Sequence, residues 1–286
     1  MARTVFSKLK TLWRKQGQSV QAAEAIKAAL GRQLPVPNAT RWNSLFNTMK
    51  YVNEVPKGRM DATFDALSLP RLQHEESLFI DEYCKAMYAV AKALNILQGE
   101  QYMYMGVLQP TLHSLLRYQQ SLPPLKYCTP LASSLQDAVK KRFSGVLEDA
   151  DLALAAAVHP KFKLSWMTEA LKAATLRLLE EECRALEAIF NENAAASEGT
   201  DEDDVFFQLP QSSLSCSEVQ QWLSDPGTDI SELAKYPKIK KIFIQRNTGI
   251  PSSEPAERLF SKGRDIFSIK RGKLSDENFE KQLIKV

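Results

Sequence analysis

Apolar residues that recur at steps of three and four along the middle of the chain constrain the fold more than any other feature. This spacing places side chains on one face of an α-helix, whereas a strand would need alternation at every second residue. Gly99 follows the longest such run and is a typical helix stop. The run comprises Leu72, Phe79, Tyr83, Met87, Val90, Leu94 and Leu97.

Two further segments show a helical pattern and extend this prediction. Residues 165–196 are rich in Ala, Leu and Glu, all of which favour helix. The other segment carries apolar residues at Leu131, Leu135, Val139, Phe143 and Val146. The chain is therefore predicted to be mainly α, with a helical bundle as its principal domain.

Composition sets broad limits on the class of protein. The chain has 286 residues, of which 44% are hydrophobic, enough to build one large or two ordinary domains. Its four cysteines are scattered without close pairs, which favours reduced thiols in a cytosolic or nuclear protein over a zinc finger. No apolar run reaches the roughly 18 residues that span a bilayer, so no membrane partner is predicted.

Charge is distributed unevenly, although the formal net charge of +3 is too small to indicate a nucleic-acid partner by itself. The first acid is Glu24, and five cations precede it, which predicts a basic N-terminal helix, with a mitochondrial presequence as the alternative. From residue 235 onward thirteen Lys and Arg face six Asp and Glu. Positive charge is thus concentrated at the two ends of the chain.

Three regions follow from these patterns. Residues 1–196 are predicted to form a helical domain that begins with the basic helix. The acidic sequence "SEGTDEDD" opens a predicted flexible linker or loop at residues 197–215. Residues 216–286 form the C-terminal region, with a short helix near residues 217–222 and a segment at 239–250 that fits a helix or a strand.

Three motifs together resemble the hAT superfamily of transposases. "NATRWNSLFNTMKYV" at residues 38–52 is similar to the family's Arg-Trp motif, and "IPSSEPAERLFSKGRDIFSIKRGKLSDENFEKQL" is similar to its C-terminal dimerisation segment. A weaker match is "AAAVHPKFK", in which His159 stands where the family usually has Asp. The motifs occur in the family's order. The resemblance implies that the region 216–286 is the remnant of an RNase H-like core and that the helical region corresponds to the family's insertion domain.

The resemblance also bears on catalysis. The family cuts DNA with two Asp and one Glu that hold two divalent cations. Glu257 matches the third carboxylate, but no Asp precedes Arg41, and the first Asp in the sequence is Asp61. We therefore expect no enzyme activity, no cofactor and no metal site, with Glu257 a vestigial match or an ion-pair partner of Arg258.

Two surfaces are predicted to interact with partners. An apolar seam near the C-terminus must be buried, either on the chain's own helical domain or on a second copy, which predicts a homodimer or a related hAT-type partner. Its members are Leu259, Phe260, Ile266, Phe267, Leu274, Phe279 and Leu283. A set of cations is predicted to contact DNA phosphates, with a solvated basic face as the alternative. These cations are Lys240, Lys241, Lys262, Arg264, Lys270 and Arg271, and the Arg-Trp motif adds Arg41 and Trp42.

Two residues in the motifs have simpler structural interpretations. Trp42 either stacks on a DNA base, as the resemblance implies, or anchors a helix from Asn43 to Val52, with Asn43 or Ser44 as its cap. His159 precedes a proline and has no other ligand type at a metal-like spacing, so it is predicted to be a turn residue.

The functional prediction is a catalytically inactive, hAT-derived protein that dimerises, associates with DNA and resides in the nucleus, with the cytoplasm as the alternative location. Two other functions remain open at this point. One is a helical protein-interaction scaffold without DNA binding, and the other is a fragment of an active DNA transposase.

Overall fold

A computed structural model of the protein describes residues 1–38, 43–99, 103–197 and 218–251. Within these ranges the chain forms α-helices and two short 3-10 turns, and no strand occurs in them. The prediction of a mainly α protein is confirmed.

The chain divides into two compact units, each with its own core. Unit 1 consists of Met1–Ile96 and Ser114–Ser144, and unit 2 consists of Leu97–His113 and Gly145–Val286. The predicted domain limits at residues 196 and 216 stay a prediction, because residues 198–217 lie outside the described ranges.

The described part of unit 1 is built on seven helices, of which α5 and α6 also extend beyond the unit. They are α1 (Ala2–Gln18), α2 (Val20–Leu30), α3 (Ser44–Glu54), α4 (Lys57–Ala66), α5 (His74–Leu97), α6 (Leu108–Gln120) and α7 (Thr129–Arg142). Their shared core contains Val5, Leu9, Leu12, Ile26, Met49, Phe64 and Ile80. The four core residues from α1, which are the first three of these and Trp13, recur at helical spacing, so a single face of this basic helix is buried.

Local signals explain where α2 begins and ends. The Ser19 hydroxyl accepts a hydrogen bond from the Ala22 N–H at 3.2 Å and so caps the first turn. Gly31, at φ 82°, ends the helix in the left-handed conformation that glycine adopts without steric cost.

Two buried carboxylates on α5 brace unit 1. Glu82 accepts hydrogen bonds from three consecutive backbone N–H groups at residues 126–128, over 2.7 to 3.0 Å, and thereby caps α7 from a neighbouring helix. Glu76 pairs with Lys8 at 2.6 Å and accepts the Gln73 N–H at 2.8 Å, which joins α1 to the start of α5. Both carboxylates are therefore fully used in holding the fold.

The described part of unit 2 contains the first part of α6 and five further helices. These are α8 (Ser144–Glu148), α9 (Ala150–Ala157), α10 (Glu169–Ser197), α11 (Glu218–Ser224) and α12 (Pro237–Asn247), with 3-10 turns at Met105–Val107 and Ile230–Lys235. The Asp149 carboxylate caps α9 by accepting the N–H groups of Asp151 and Leu152 at 2.9 and 3.0 Å. All five residues from Ala153 to Ala157 are buried, so α9 is surrounded by the other elements of the unit.

The predicted helices occur, with changes at their ends. The long apolar run forms α5, which ends at Leu97, but Leu72 precedes it. The Ala, Leu and Glu-rich segment becomes helical only at Glu169. The ambiguous segment at 239–250 forms helix α12 rather than a strand, and the short helix predicted near 217–222 is α11.

None of the helices in the described ranges is both long enough and apolar enough to cross a membrane.

Candidate interaction surfaces

Two of the predicted interaction residues fall within the described ranges. Arg41, Trp42, Glu257, Lys262, Arg264, Lys270, Arg271 and the seven apolar residues of the C-terminal seam all lie outside the described residues. Lys240 and Lys241 lie within them, on α12.

Helix α12 is firmly embedded on one side of unit 2. Ile239 and Ile242 are completely buried, and Phe243 is 6% exposed. They share a core cluster with residues of α9, α10 and α11. On the other side, Lys240 is exposed and Ile244 is 52% exposed. The helix therefore has a core face and an outer face that carries both a cation and an apolar side chain.

Two cations of α12 are neutralised by acids of neighbouring helices. Lys238 lies 3.0 Å from Glu187 on α10. Arg246 pairs with Glu182 on α10 and, at 2.8 Å, with Asp151 on α9. Excess positive charge on this helix is therefore smaller than the sequence indicates. Lys240 on the same helix has no ion-pair partner among the described residues.

The end of α12 is fixed by a close backbone approach. The Asn247 side chain accepts the Gly106 N–H at 2.7 Å and donates to the Ala155 carbonyl at 3.1 Å, and Asn247 is 5% exposed. A Cβ at position 106 would lie 2.4 Å from the Ala155 oxygen. Only glycine leaves room for this junction between the 3-10 turn, α9 and α12.

His159 lies in a tight turn after α9, as predicted. It is 5% exposed and packs against the rings of Tyr104, Phe162 and Phe243, with ring centroids 4.8 to 6.0 Å away. Its Nδ1 accepts the Lys161 N–H at 3.2 Å. Burial lowers the pKa of the imidazole to about 4, so the ring is neutral near pH 7. These contacts describe a structural histidine.

Lys163, in the same motif, ties this turn to α11. It adopts φ 47°, its Nζ donates to the Trp222 carbonyl at 2.8 Å and to the Asp225 carbonyl, and the ammonium lies 4.5 Å from the centre of the Trp222 ring. The Trp222 indole N–H in turn donates to the Ala157 carbonyl at 3.0 Å. Burial is the main cause of the lowered pKa of Lys163. The third motif thus holds helices together, a role that its spacing did not reveal.

Within the Arg-Trp motif, the described residues before Arg41 and after Trp42 are braced by hydrogen bonds. Ser44 Oγ accepts the Asn38 N–H at 3.0 Å and donates to the Asn38 carbonyl at 2.5 Å. Asn43 occupies the N-cap position of α3, but its side chain donates instead to the Ala91 carbonyl and to Asn95 on α5. The sequence located the helix start correctly, whereas the capping hydrogen bond expected from either side chain is not made.

A groove of about 940 Å³ runs along α1 in unit 1, beside these residues. One wall is α1 itself, and the other is formed by residues 36–38 and the start of α3. We call it the α1 groove, and its lining residues are Ala2, Arg3, Phe6, Ser7, Lys10, Trp13, Val36, Pro37, Asn38, Ser44 and Leu45. The sequence analysis predicted the basic helix but not the groove.

The described residues contain neither a cluster suited to a metal nor a reactive thiol. No cluster of three or more His, Cys, Asp or Glu within the described ranges is arranged to hold a metal. Burial raises the pKa of the Cys84 thiol to about 12 and that of Cys128 and Cys183 to about 11, which makes all three poor nucleophiles.

Comparison of the chain with models of known protein families gives no match, and comparison with curated proteins gives none. The resemblance to hAT transposases therefore rests on the three sequence motifs alone.

Proposed function

We propose that the protein is a catalytically inactive derivative of an hAT transposase that acts by self-association through its C-terminal region and by contact with DNA. The observation that carries the proposal is the position of α12. Its core face fixes it in unit 2, its outer face carries Lys240 and Ile244, and the sequence that follows the helix resembles the family's dimerisation segment. We assign the protein to the nucleus because DNA is the proposed partner.

The use of two buried acids and one half-buried acid supports a binding role over a catalytic one. Glu76 and Glu82 are both saturated by donors of the fold, and Asp225 accepts the Gly227 N–H at 2.7 Å and the Tyr236 hydroxyl at 2.8 Å. Carboxylates whose oxygens already accept hydrogen bonds from the fold stabilise the structure and are not arranged to bind a cation. The vestigial assignment of Glu257 and the RNase H-like origin of residues 216–286 belong to the same proposal.

Self-association is tested by light scattering on the full chain at micromolar concentration. We expect a dimer, and we expect the double substitution Phe260→Asp, Phe267→Asp to produce a monomer, since it places two charges in the apolar seam. Val20→Asp is the control, because Val20 is 76% exposed in unit 1. A wild-type chain that is monomeric under these conditions contradicts this half of the proposal.

DNA association is tested by titrating the chain with a labelled duplex at several salt concentrations. Each neutralised phosphate contributes about 0.9 to the slope of log K against log salt, so Lys240→Gln with Lys241→Gln should reduce that slope by up to about 1.8. The control is Lys140→Gln with Lys141→Gln, which removes the same charge from exposed positions on α7. Equal slopes for the two double variants would show that Lys240 and Lys241 of α12 do not contact DNA phosphates.

A second candidate function is a helical scaffold that binds other proteins and not DNA. The α1 groove favours this function, because its lining is largely apolar and contains no acid. Absence of any salt-dependent DNA binding in the titration would select it.

A further inference from the structure

The α1 groove has a rigid apolar floor that is formed before any partner binds. Phe6 meets Phe79 and Tyr83 of α5 edge to face, with ring centroids 6.2 and 5.9 Å apart, so α5 fixes its orientation. Trp13 is 6% exposed and is held in the core of unit 1. A preformed floor lowers the ordering cost of binding.

The shape of the groove suits a short helix. The lining residues of α1 run from Ala2 to Trp13, a rise of about 16 Å or three helical turns. The opposite wall presents Val36, which is 51% exposed, together with Pro37 and Leu45. Apolar walls over this length match the mode of recognition in which an amphipathic helix lays its apolar face into a groove.

The charges along the groove specify the partner further. Arg3 and Lys10 both line it, and seven residues on one helix place them on the same face about 10 Å apart. Neither has an ion-pair or hydrogen-bond partner for its side chain in the described ranges, and no Asp or Glu is among the lining residues. The groove is therefore apolar within and positive at two points one heptad apart.

We propose that the α1 groove binds an acidic amphipathic helix of a partner protein. Two acids of that helix, seven residues apart, pair with Arg3 and Lys10, and large apolar side chains between them fill the space over Phe6 and Trp13. This goes beyond self-association and DNA contact, and it rests on the second candidate function, the protein-binding scaffold, to which it gives a defined site in unit 1 and a partner of stated chemistry.

Other occupants fit less well. A nucleic-acid backbone needs a continuous run of polar and cationic contacts, whereas the floor here is mostly carbon. A lipid with a single headgroup would engage one of the two cations and leave the other unmatched. A helix with acids one heptad apart satisfies both cations and the apolar floor together.

The test is a display selection with random peptides of about fifteen residues, long enough for the roughly three turns of the groove, against the full wild-type chain. We expect enriched sequences with acids at i and i+7 and apolar residues at helical spacing between them. Binding of the synthesised peptides should weaken by about tenfold or more with R3E and K10E combined, since two attractions become repulsions. Peptides in which the acids are replaced by Lys should recover binding to that double variant.

The control is K140E with K141E, which makes the same change in net charge at exposed positions away from the groove and should leave peptide binding unaltered. Circular dichroism establishes that both double variants are folded. Selected peptides without acids, or equal binding to wild type and R3E with K10E, would overturn the proposal. Displacement of the peptides by a single-stranded oligonucleotide would show a nucleic-acid surface instead. A change of oligomeric state in R3E with K10E would identify a second copy as the occupant.

Discussion

Replacement of Gly106 by Ala should strongly destabilise unit 2. The new methyl group would lie 2.4 Å from the Ala155 oxygen, 2.7 Å from its carbon and 2.9 Å from Asn247 Oδ1. Two of these atoms are backbone, so relief requires α9 or the 3-10 turn to move by close to 1 Å. Overpacking of this kind costs about 1–3 kcal/mol.

The movement also breaks a hydrogen-bonded junction. Asn247 joins the Gly106 N–H to the Ala155 carbonyl, and each buried group left unpaired costs about 1–3 kcal/mol. With partial relaxation, the two effects together should lower the free energy of unfolding by about 3–5 kcal/mol. At about 2–4 °C per kcal/mol for a domain of this size, the midpoint of thermal unfolding should fall by roughly 6–20 °C.

The assay is urea unfolding followed by tryptophan fluorescence. Replacing Trp13 and Trp42 by Phe in every variant leaves Trp166 and Trp222 as reporters, and both of these lie in unit 2. Gly145→Ala is the matched control, because nothing lies within 4 Å of a Cβ added there. A loss below about 1 kcal/mol for Gly106→Ala, relative to this control, would refute the packing argument.

Three further predictions follow from buried polar groups. The pKa of His159 is about 4 in the folded state and 6.5 in the unfolded state. The contribution of the neutral imidazole to the free energy of unfolding is therefore complete above pH 6.5 and is lost as the pH falls toward 4. The His159→Asn variant keeps an acceptor at this position and does not titrate. In urea unfolding, the free energy of unfolding of the variant should therefore fall less than that of the wild type between pH 6.5 and 4, by on the order of 3 kcal/mol. Glu82→Gln should cost about 2–4 kcal/mol because an amide cannot accept all three N–H groups, and the exposed Glu75→Gln should cost much less in the same thermal melts. Lys163→Met should cost about 1.5–3 kcal/mol, measured by the fluorescence of Trp222, and no loss would show that the ammonium does not stabilise α11.

The helices differ in how well the sequence predicts them. The run that forms α5 is long and keeps its spacing of three and four, so both its type and its Gly99 stop were predicted. The apolar part of α12 is short, and short apolar runs fit a helix and a strand equally well. After Asp151, helix α9 is apolar on all sides, so it has no stripe to detect, although the Asp149 cap before it was an available signal.

The surfaces are less predictable because they combine distant residues. The acids that neutralise Arg246 are Asp151 and Glu182, 95 and 64 residues earlier in the chain, and no local pattern connects them. The α1 groove joins residues 2–13 to residues 36–38 and to Ser44 and Leu45, which the sequence showed only as a basic helix followed by a proline-containing stretch. Local charge counts therefore overstated the basicity of α12 and missed the groove.

The contact between Gly106 and Asn247 spans 141 residues, and it limits how the protein can be divided. Since α11 and α12 supply Trp222, Ile239 and Ile242 to the core that also contains α9 and α10, a fragment that stops in the acidic segment would expose that core. Such a fragment should aggregate, and the missing piece expressed by itself should not fold. During synthesis, likewise, unit 2 cannot close until the ribosome has released α12.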